Sequence, residues 1–174
     1  TPDSGRFGNM SLVTDITDNL SWQLRGKRIL VLGAGGAVRG VLGSLLAAEP
    51  EQVHLWNRTP AKSAALVDQF EGPLGFTTSA ELESDYDLVI NGTSAGLTGR
   101  LPAIPARVIG RDSHVYDMVY SQQATDFNRW CQAHGAAVTS DGLGMLVEQA
   151  ALAFEIWFGL SVKTQPVMAM LRAT

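Results

Sequence analysis

Short apolar runs alternate along this chain with longer stretches in which apolar residues recur every three or four positions. The runs Arg28–Leu32, Val53–Trp56, Leu74–Thr77, Asp87–Ile90, His114–Met118 and Ala136–Val138 have the length and composition of strands. Between them the spacing predicts helices over Ala37–Ala48, closed by Glu49-Pro50, over Pro60–Phe70, with the proline in its first turn, and over Thr125–His134. A short helix is expected at Ser79–Leu82, and two more, Leu143–Phe158 and Gln165–Arg172, finish the chain. Ahead of the first strand, Leu12, Ile16 and Leu20 make one stripe of a helix over Ser11–Leu20, while Thr1–Met10, rich in Gly, Ser and Asn, reads as a loop or a cut end. Strands alternating with helices over this length predict a doubly wound α/β fold, a parallel sheet covered on both faces. Residues 1–24 read as a loop and lead-in helix, and residues 25–174 as one domain with C-terminal helices.

Composition narrows the function. Of 174 residues, 45% are hydrophobic and 17% charged, which excludes a disordered chain and implies a packed core. A formal charge of −4 argues against non-specific nucleic-acid binding. Cys131 stands alone, so no internal disulfide or thiolate metal cluster can form, and it reads as a buried helix residue in a reducing compartment. His54 and His134 have no Cys, Asp or Glu at ligand spacing, so no metal site is expected. The first twenty residues hold Asp3, Asp15 and Asp18 and no apolar signal region, and the most apolar stretch, Leu143–Leu160, is broken by Glu148, Gln149 and Glu155. No membrane partner is expected, and the cytoplasm is the expected location.

The chemistry starts in the loop after the first strand, Gly33-Ala34-Gly35-Gly36-Ala37-Val38-Arg39-Gly40. Glycines at this point permit a tight turn and let backbone N–H groups approach a pyrophosphate at the positive end of the next helix. The strict G-x-G-x-x-G pattern fails, because Val38 stands at the third glycine and Gly40 comes two later. The strand–glycine–helix context still favours a Rossmann-like dinucleotide site, with Gly33, Ala34, Gly35, Gly36 and Ala37 as its turn.

The end of the second strand chooses the cofactor. NAD sites place an acid there to accept from the ribose hydroxyls, but no acid occurs from Gln52 to Lys62. Arg58 is a candidate clamp on a 2′-phosphate, with Asn57 and Thr59 as hydrogen-bonding neighbours and Lys62 as a second cation one helical turn on. The cofactor predicted is NADP.

Five segments together resemble the shikimate dehydrogenase family: Gly33–Gly40, Asn57-Arg58-Thr59, Asn91-Gly92-Thr93-Ser94-Ala95-Gly96, Tyr116-Asp117-Met118-Val119-Tyr120, and Asp141-Gly142-Leu143-Gly144-Met145-Leu146-Val147-Glu148-Gln149-Ala150. The resemblance runs from about Arg25 to the C-terminus. It implies a two-domain enzyme that interconverts 3-dehydroshikimate and shikimate with NADPH, on the route to chorismate and the aromatic amino acids. It further implies that Thr93 and Ser94 lie against the cofactor, that Met118, Val119 and the backbone of Gly142 line the nicotinamide, and that Tyr120 and Gln149 reach the substrate. The residues also permit plainer readings. Asn91-Gly92 is a turn signal, Met118 fills core, Tyr120 is a buried ring with its hydroxyl at the surface, and Asp141 caps a helix. Gln149, an amide in an otherwise apolar helix, needs a hydrogen-bond partner that a ligand could supply.

Reduction of a ketone needs a proton donor beside the carbonyl. The family's donor is a Lys, in a preceding substrate domain, paired with the Asp of an Asn-Thr-Asp-Gly motif. Lys27, Lys62 and Lys163 are the three lysines here, none in such a context, and Gly8-Asn9 is at most a remnant of the motif. Asp15 or Asp18 could substitute for that Asp, but both sit at helical spacing and read more simply as a solvated face. No catalytic residue is therefore assigned: the chain reads as the cofactor half of the enzyme, a truncated or domain-only chain. Its last helix would leave Val167, Met168, Met170 and Leu171 partly exposed and prone to self-association. Two other readings stay open: a catalytically silent NADP-binding module, and a quinate/shikimate dehydrogenase paralogue, against which Asn57-Arg58-Thr59 argues.

Overall fold

Ile29 and Val31 face one side of the central strand and Leu30 and Leu32 the other, and all four are fully buried, which is why β1 (Arg28–Leu32) reads as an unbroken apolar run. A computed structural model of the chain describes residues 5–95 and 100–173. Thr1–Ser4 of the expected loop and Gly96 of the third segment lie outside the described residues. Six parallel strands form the sheet: β1, β2 (Gln52–Trp56), β3 (Leu74–Thr77), β4 (Tyr86–Asn91), β5 (Ile109–Asp117) and β6 (Val138–Asp141), in the order β3-β2-β1-β4-β5-β6. The order reverses between β1 and β4, the switch point where a doubly wound sheet opens a crevice at its carboxyl edge.

Helices α2 (Gly36–Ala47) and α3 (Pro60–Val67) follow β1 and β2, α4 (Asp126–Ala133) precedes β6, and α5 (Leu143–Phe158) and α6 (Thr164–Arg172) close the chain. On one face Val38, Val41, Leu42 and Leu45 of α2 pack with Leu12, Ile16, Ile29 and Val31. On the other, Phe127 and Cys131 of α4 pack with Leu30, Leu32, Val89 and Val115. Burial, with Asp117 nearby, pushes the Cys131 thiol up to about 12, so it stays protonated.

Several boundaries differ from the pattern. Helix α1 (Gly5–Thr14) begins inside the stretch expected to be loop, because it packs on α2 and α5 and tertiary contacts outweigh the weak helix preference of its Gly, Ser and Asn. It widens into one π-turn, Asp15–Asn19, in which Leu20 N–H donates to Asp15 O. Asp15 is buried here, not on a solvated face: Tyr116 Oη donates to it at 2.6 Å and Asn19 Nδ2 at 3.0 Å. Ser79–Leu82 makes only a turn, closed by the Glu81 carboxylate on the Thr78 N–H and hydroxyl; four residues are too few for a stable helix. α3 stops at Val67 and unwinds through three-residue bonds toward Gly72, whose φ is +119°. β5 starts five residues early, since polar Arg111-Asp112-Ser113 hides a pairing that includes Tyr86 with Ile109. β6 lies later than its apolar run, because the turn at Gly135 delays pairing until Val138 meets His114.

Candidate functional site

Trp56, Leu32, Asn91, Asp117 and Asp141 stand level across the carboxyl edge, each the last residue of its strand. The turns leaving them are stitched by backbone bonds: Gly33 N–H to Trp56 O, Gly92 N–H to Leu32 O, Met118 N–H to Asn91 O, and Gly142 N–H to Val119 O. Gly33 has φ +109°, and a Cβ there would come 2.9 Å from Gly92 O, so only glycine serves. A Cβ on Gly92 would in turn overlap Val38, and one on Gly142 would overlap Met118 O. By contrast, a Cβ at Gly35 or Gly36 would meet no protein atom within 4 Å. The space beside these two glycines is thus open, and the first turn of α2, its N–H groups unpaired within the helix, carries no side-chain cap.

The predicted residues converge on this edge. Asn57 Nδ2 donates to Thr59 O at 3.0 Å and folds the turn after β2, leaving Arg58, Thr59 and Lys62 exposed. Among the described residues neither Arg58 nor Lys62 takes part in an ion pair. Ser94 is exposed, whereas Thr93 is bound back to Asn91, its N–H and hydroxyl both donating to Asn91 Oδ1 (3.1 and 2.8 Å). Met118 and Val119 are half-buried between Gly92 and Gly142. Tyr120 is 51% exposed, so the reading as a buried ring fails. Gln149 is exposed too, on a face of α5 open to solvent, so water satisfies its amide and the argument from a buried amide does not hold.

Sequence reasoning passed over the polar layer beneath. Asn91 and Asp117 are buried and bonded to each other, Asn91 Nδ2 donating to Asp117 Oδ1 at 3.1 Å. Burial raises the Asp117 carboxyl above the usual range, against bonds from Thr125, Val119 and Asn91 that favour its charged form. Asp141 does cap α5, accepting the Leu143 N–H at 3.1 Å, but it also receives the Arg172 guanidinium on both oxygens. Asn91 and Asp117 each end an apolar strand; a polar side chain at that position was the available signal. Among the described residues no cluster of His, Cys, Asp and Glu could hold a metal, and no helix is long and apolar enough to cross a membrane.

Comparison with known proteins decides the family. Residues 12–98 match the model for shikimate/quinate 5-dehydrogenase, and residues 142–172 match that for the shikimate 5′-dehydrogenase C-terminal domain. The chain belongs to the shikimate/quinate 5-dehydrogenase family. It is 53% identical over 165 residues to a shikimate dehydrogenase (NADP(+)) of Alcanivorax borkumensis, covering 92% of this chain and 59% of that protein. A Marinobacter nauticus protein of the same name is 52% identical over 168 residues, 94% of this chain and 61% of its own length. Among solved structures, an Ael1 enzyme from Pseudomonas putida superposes with a TM-score of 0.88 at 41% identity, over 95% of this chain and 62% of that one. A shikimate 5-dehydrogenase from Thermus thermophilus, in complex with NADP(H) and shikimate, gives 0.82 at 31%, over 96% and 62%. The chain therefore spans about three fifths of the family members it matches.

Proposed function

We propose that this chain is the NADP-binding half of a shikimate dehydrogenase, which reduces 3-dehydroshikimate to shikimate. One observation carries the cofactor choice: the turn after β2 presents Arg58 and Lys62 exposed, with no acid from Gln52 to Lys62, beside the glycine turn of α2. The open space over Gly35 and Gly36 fits a pyrophosphate on the first turn of α2. Arg58, supported by Asn57, Thr59 and Lys62, would hold the 2′-phosphate. Thr93, Ser94, Met118, Val119 and the Gly142 backbone would line the nicotinamide, and Tyr120 and Gln149 would face the substrate. When bound, NADPH supplies hydride to the ketone. This chain's residues orient the cofactor and shield one side of it. Asp15, its oxygens occupied by Tyr116 and Asn19, and Asp18, exposed and bonded to Thr17, do not form a proton-donating pair with any described lysine. Proton transfer then belongs to the portion of the family that this chain does not span.

Binding measured by NADPH and NADH fluorescence tests the assignment. NADPH should bind more tightly than NADH, and Arg58→Ala should weaken NADPH by about tenfold to a hundredfold, the worth of one charged hydrogen-bonding contact, while leaving NADH unchanged. Equal affinities in the parent chain would overturn the NADP reading. Shikimate plus NADP should give no NADPH with this chain alone; turnover would sink the half-enzyme assignment. A lone, buried Cys131 fits work in a reducing cytoplasm. Trp157, Phe158, Leu160 and Met170 are all more than half exposed, so the isolated chain is expected to self-associate through α5 and α6, which a concentration-independent monomer in sedimentation would refute.

A further inference from the structure

The two turns that would face the nicotinamide leave adjacent strands, and what joins them is a buried side-chain pair. Asn91 and Asp117 are partners in the β4–β5 register. Asn91 is 0% exposed and Asp117 1%. The Asn91 amide works in both directions: its Nδ2 donates across to Asp117 Oδ1 at 3.1 Å, and its Oδ1 accepts the Thr93 N–H and hydroxyl on its own turn. Asp117 works likewise: Oδ1 also accepts the Val119 N–H at 3.3 Å, and Oδ2 accepts the Thr125 hydroxyl at 2.7 Å. Thr125 Oγ1 then caps α4 through the Asn128 N–H at 3.1 Å. A donor amide against an acceptor carboxylate leaves no freedom in how the two turns sit, because each oxygen and the amide nitrogen has an assigned partner.

We propose that Asn91 and Asp117 form a positioning pair that fixes the Thr93-Ser94 turn relative to the Met118-Val119 turn and thereby shapes the nicotinamide side of the cofactor site. This rests on the cofactor reading above and deepens it. Neither residue touches the cofactor; both act through the backbone of the turns they hold. The pair lies on β4 and β5, across β1 from the Asn57-Arg58-Thr59 turn that leaves β2, so its effect should fall on one half of the dinucleotide only.

Asn91→Asp tests the pair with almost no change of shape. It sets two carboxylates at the 3.1 Å separation of the present bond, and such a pair must share one proton to keep its contact. The groups around it are few. Asp141, itself paired with Arg172, adds negative potential from β6, Cys131 faces Asp117 from α4 as a neutral thiol, and Thr125 is uncharged. The protonated variant mimics the amide, and the ionised one forces the turns apart. Two probes are used on the full chain, NADPH and 2′,5′-ADP, the fragment without nicotinamide, at about pH 5.5 and about pH 8. Relative to the parent at the same pH, Asn91→Asp should bind NADPH equally at the lower pH and about tenfold or more weakly at the higher, one pK unit's worth of coupling, with 2′,5′-ADP unchanged at both. The double variant Asn91→Asp/Asp117→Asn holds a single carboxylate, so no proton has to be shared, and it should bind NADPH alike at the two pH values, although its amide nitrogen can no longer accept the Val119 N–H. Equal loss of both probes, or no loss of either, would overturn the proposal, as would a double variant that keeps the pH dependence of Asn91→Asp. A parent chain that binds 2′,5′-ADP but not NADPH overturns it as well; one that binds neither refutes the cofactor reading, and the positioning pair falls with it.

Discussion

Replacing Arg172 by Met should release the last helix and cost about 2 kcal/mol. α6 has no fully buried side chain, and its strongest polar attachment is the Arg172 guanidinium, which grips both oxygens of Asp141, one of them at 2.8 Å, beside a longer 3.4 Å bond from Gln165 Nε2 to Asn19 Oδ1. A bidentate, charge-assisted pair on a carboxylate that is only 6% exposed is the strong kind of ion pair; one charged hydrogen bond is worth about 1.5–3 kcal/mol. Two facts reduce the figure. The arginine side chain is 46% exposed, so part of the attraction is screened. Asp141 also keeps its bonds from the Leu143 and Ser121 N–H groups after the guanidinium leaves. The net of about 2 kcal/mol corresponds to a fall of about 4–8 °C in melting midpoint for a chain of this size. Urea denaturation of Arg172→Met, of Asp141→Asn and of the double variant, followed by circular dichroism, gives the coupling directly. The pair should couple by at least about 1 kcal/mol, and Asp141→Asn should restore part of the stability in the Arg172→Met background by removing an unpaired buried charge. A loss under about 0.5 kcal/mol for Arg172→Met, or strictly additive variants, would refute the reasoning. It would mean that α6 is held by something other than this pair.

Three further outcomes follow from the same contacts. Gly92→Ala should destabilise the chain by about 1–3 kcal/mol in a urea titration, the range for overpacking, because its Cβ would overlap Val38 and come 3.0 Å from Met118 Sδ. Thr125→Ala should cost about 1 kcal/mol or more in the same assay, since one hydroxyl both caps α4 and donates to buried Asp117. Asp15→Asn should gain on the parent as pH rises. Burial holds the Asp15 carboxyl above its ordinary value, so the folded state binds its proton more readily than the unfolded one, and the parent's stability falls from the ordinary carboxylate pH up through that raised value. The slope is at most about 1.4 kcal/mol per pH unit. Denaturation of both chains at several pH values between 4 and 7 checks this, and parallel curves would refute it.

How much of this was legible depended on which contacts a position makes. β1, β2, β3, α2 and α5 were readable to within a residue or so because their signals are local: an apolar run closed by glycine or polar residues, or apolar spacing closed by a break. α1, the head of β5 and the place of β6 were not, because each takes its structure from a neighbour: α1 from α2 and α5, Ile109 from its pairing with Tyr86, Val138 from its pairing with His114. The cofactor turn was legible because backbone geometry demands glycine at Gly33. Asp15 was misread for the opposite reason. Its position in a helical repeat says nothing of the Tyr116 hydroxyl that reaches it from a strand 101 residues away.

The departure at Val38 shows how a motif can fail while its mechanics survive. A third glycine in the dinucleotide pattern exists so that the helix can approach the sheet. Here that position carries Val38, fully buried, and the space it needs is found on the other side of the contact, at Gly92 after β4. Small against large has been exchanged across the interface, from helix to neighbouring turn, with the fit preserved. The exchange has a consequence for the site. In the usual arrangement the small residue belongs to the helix that receives the pyrophosphate; here it belongs to the turn that carries Thr93 and Ser94, wedged between Val38 and Met118. That turn therefore sits hard against α2 and the Met118 turn together, and the Asn91–Asp117 pair directly beneath bonds it to the Met118-Val119 turn.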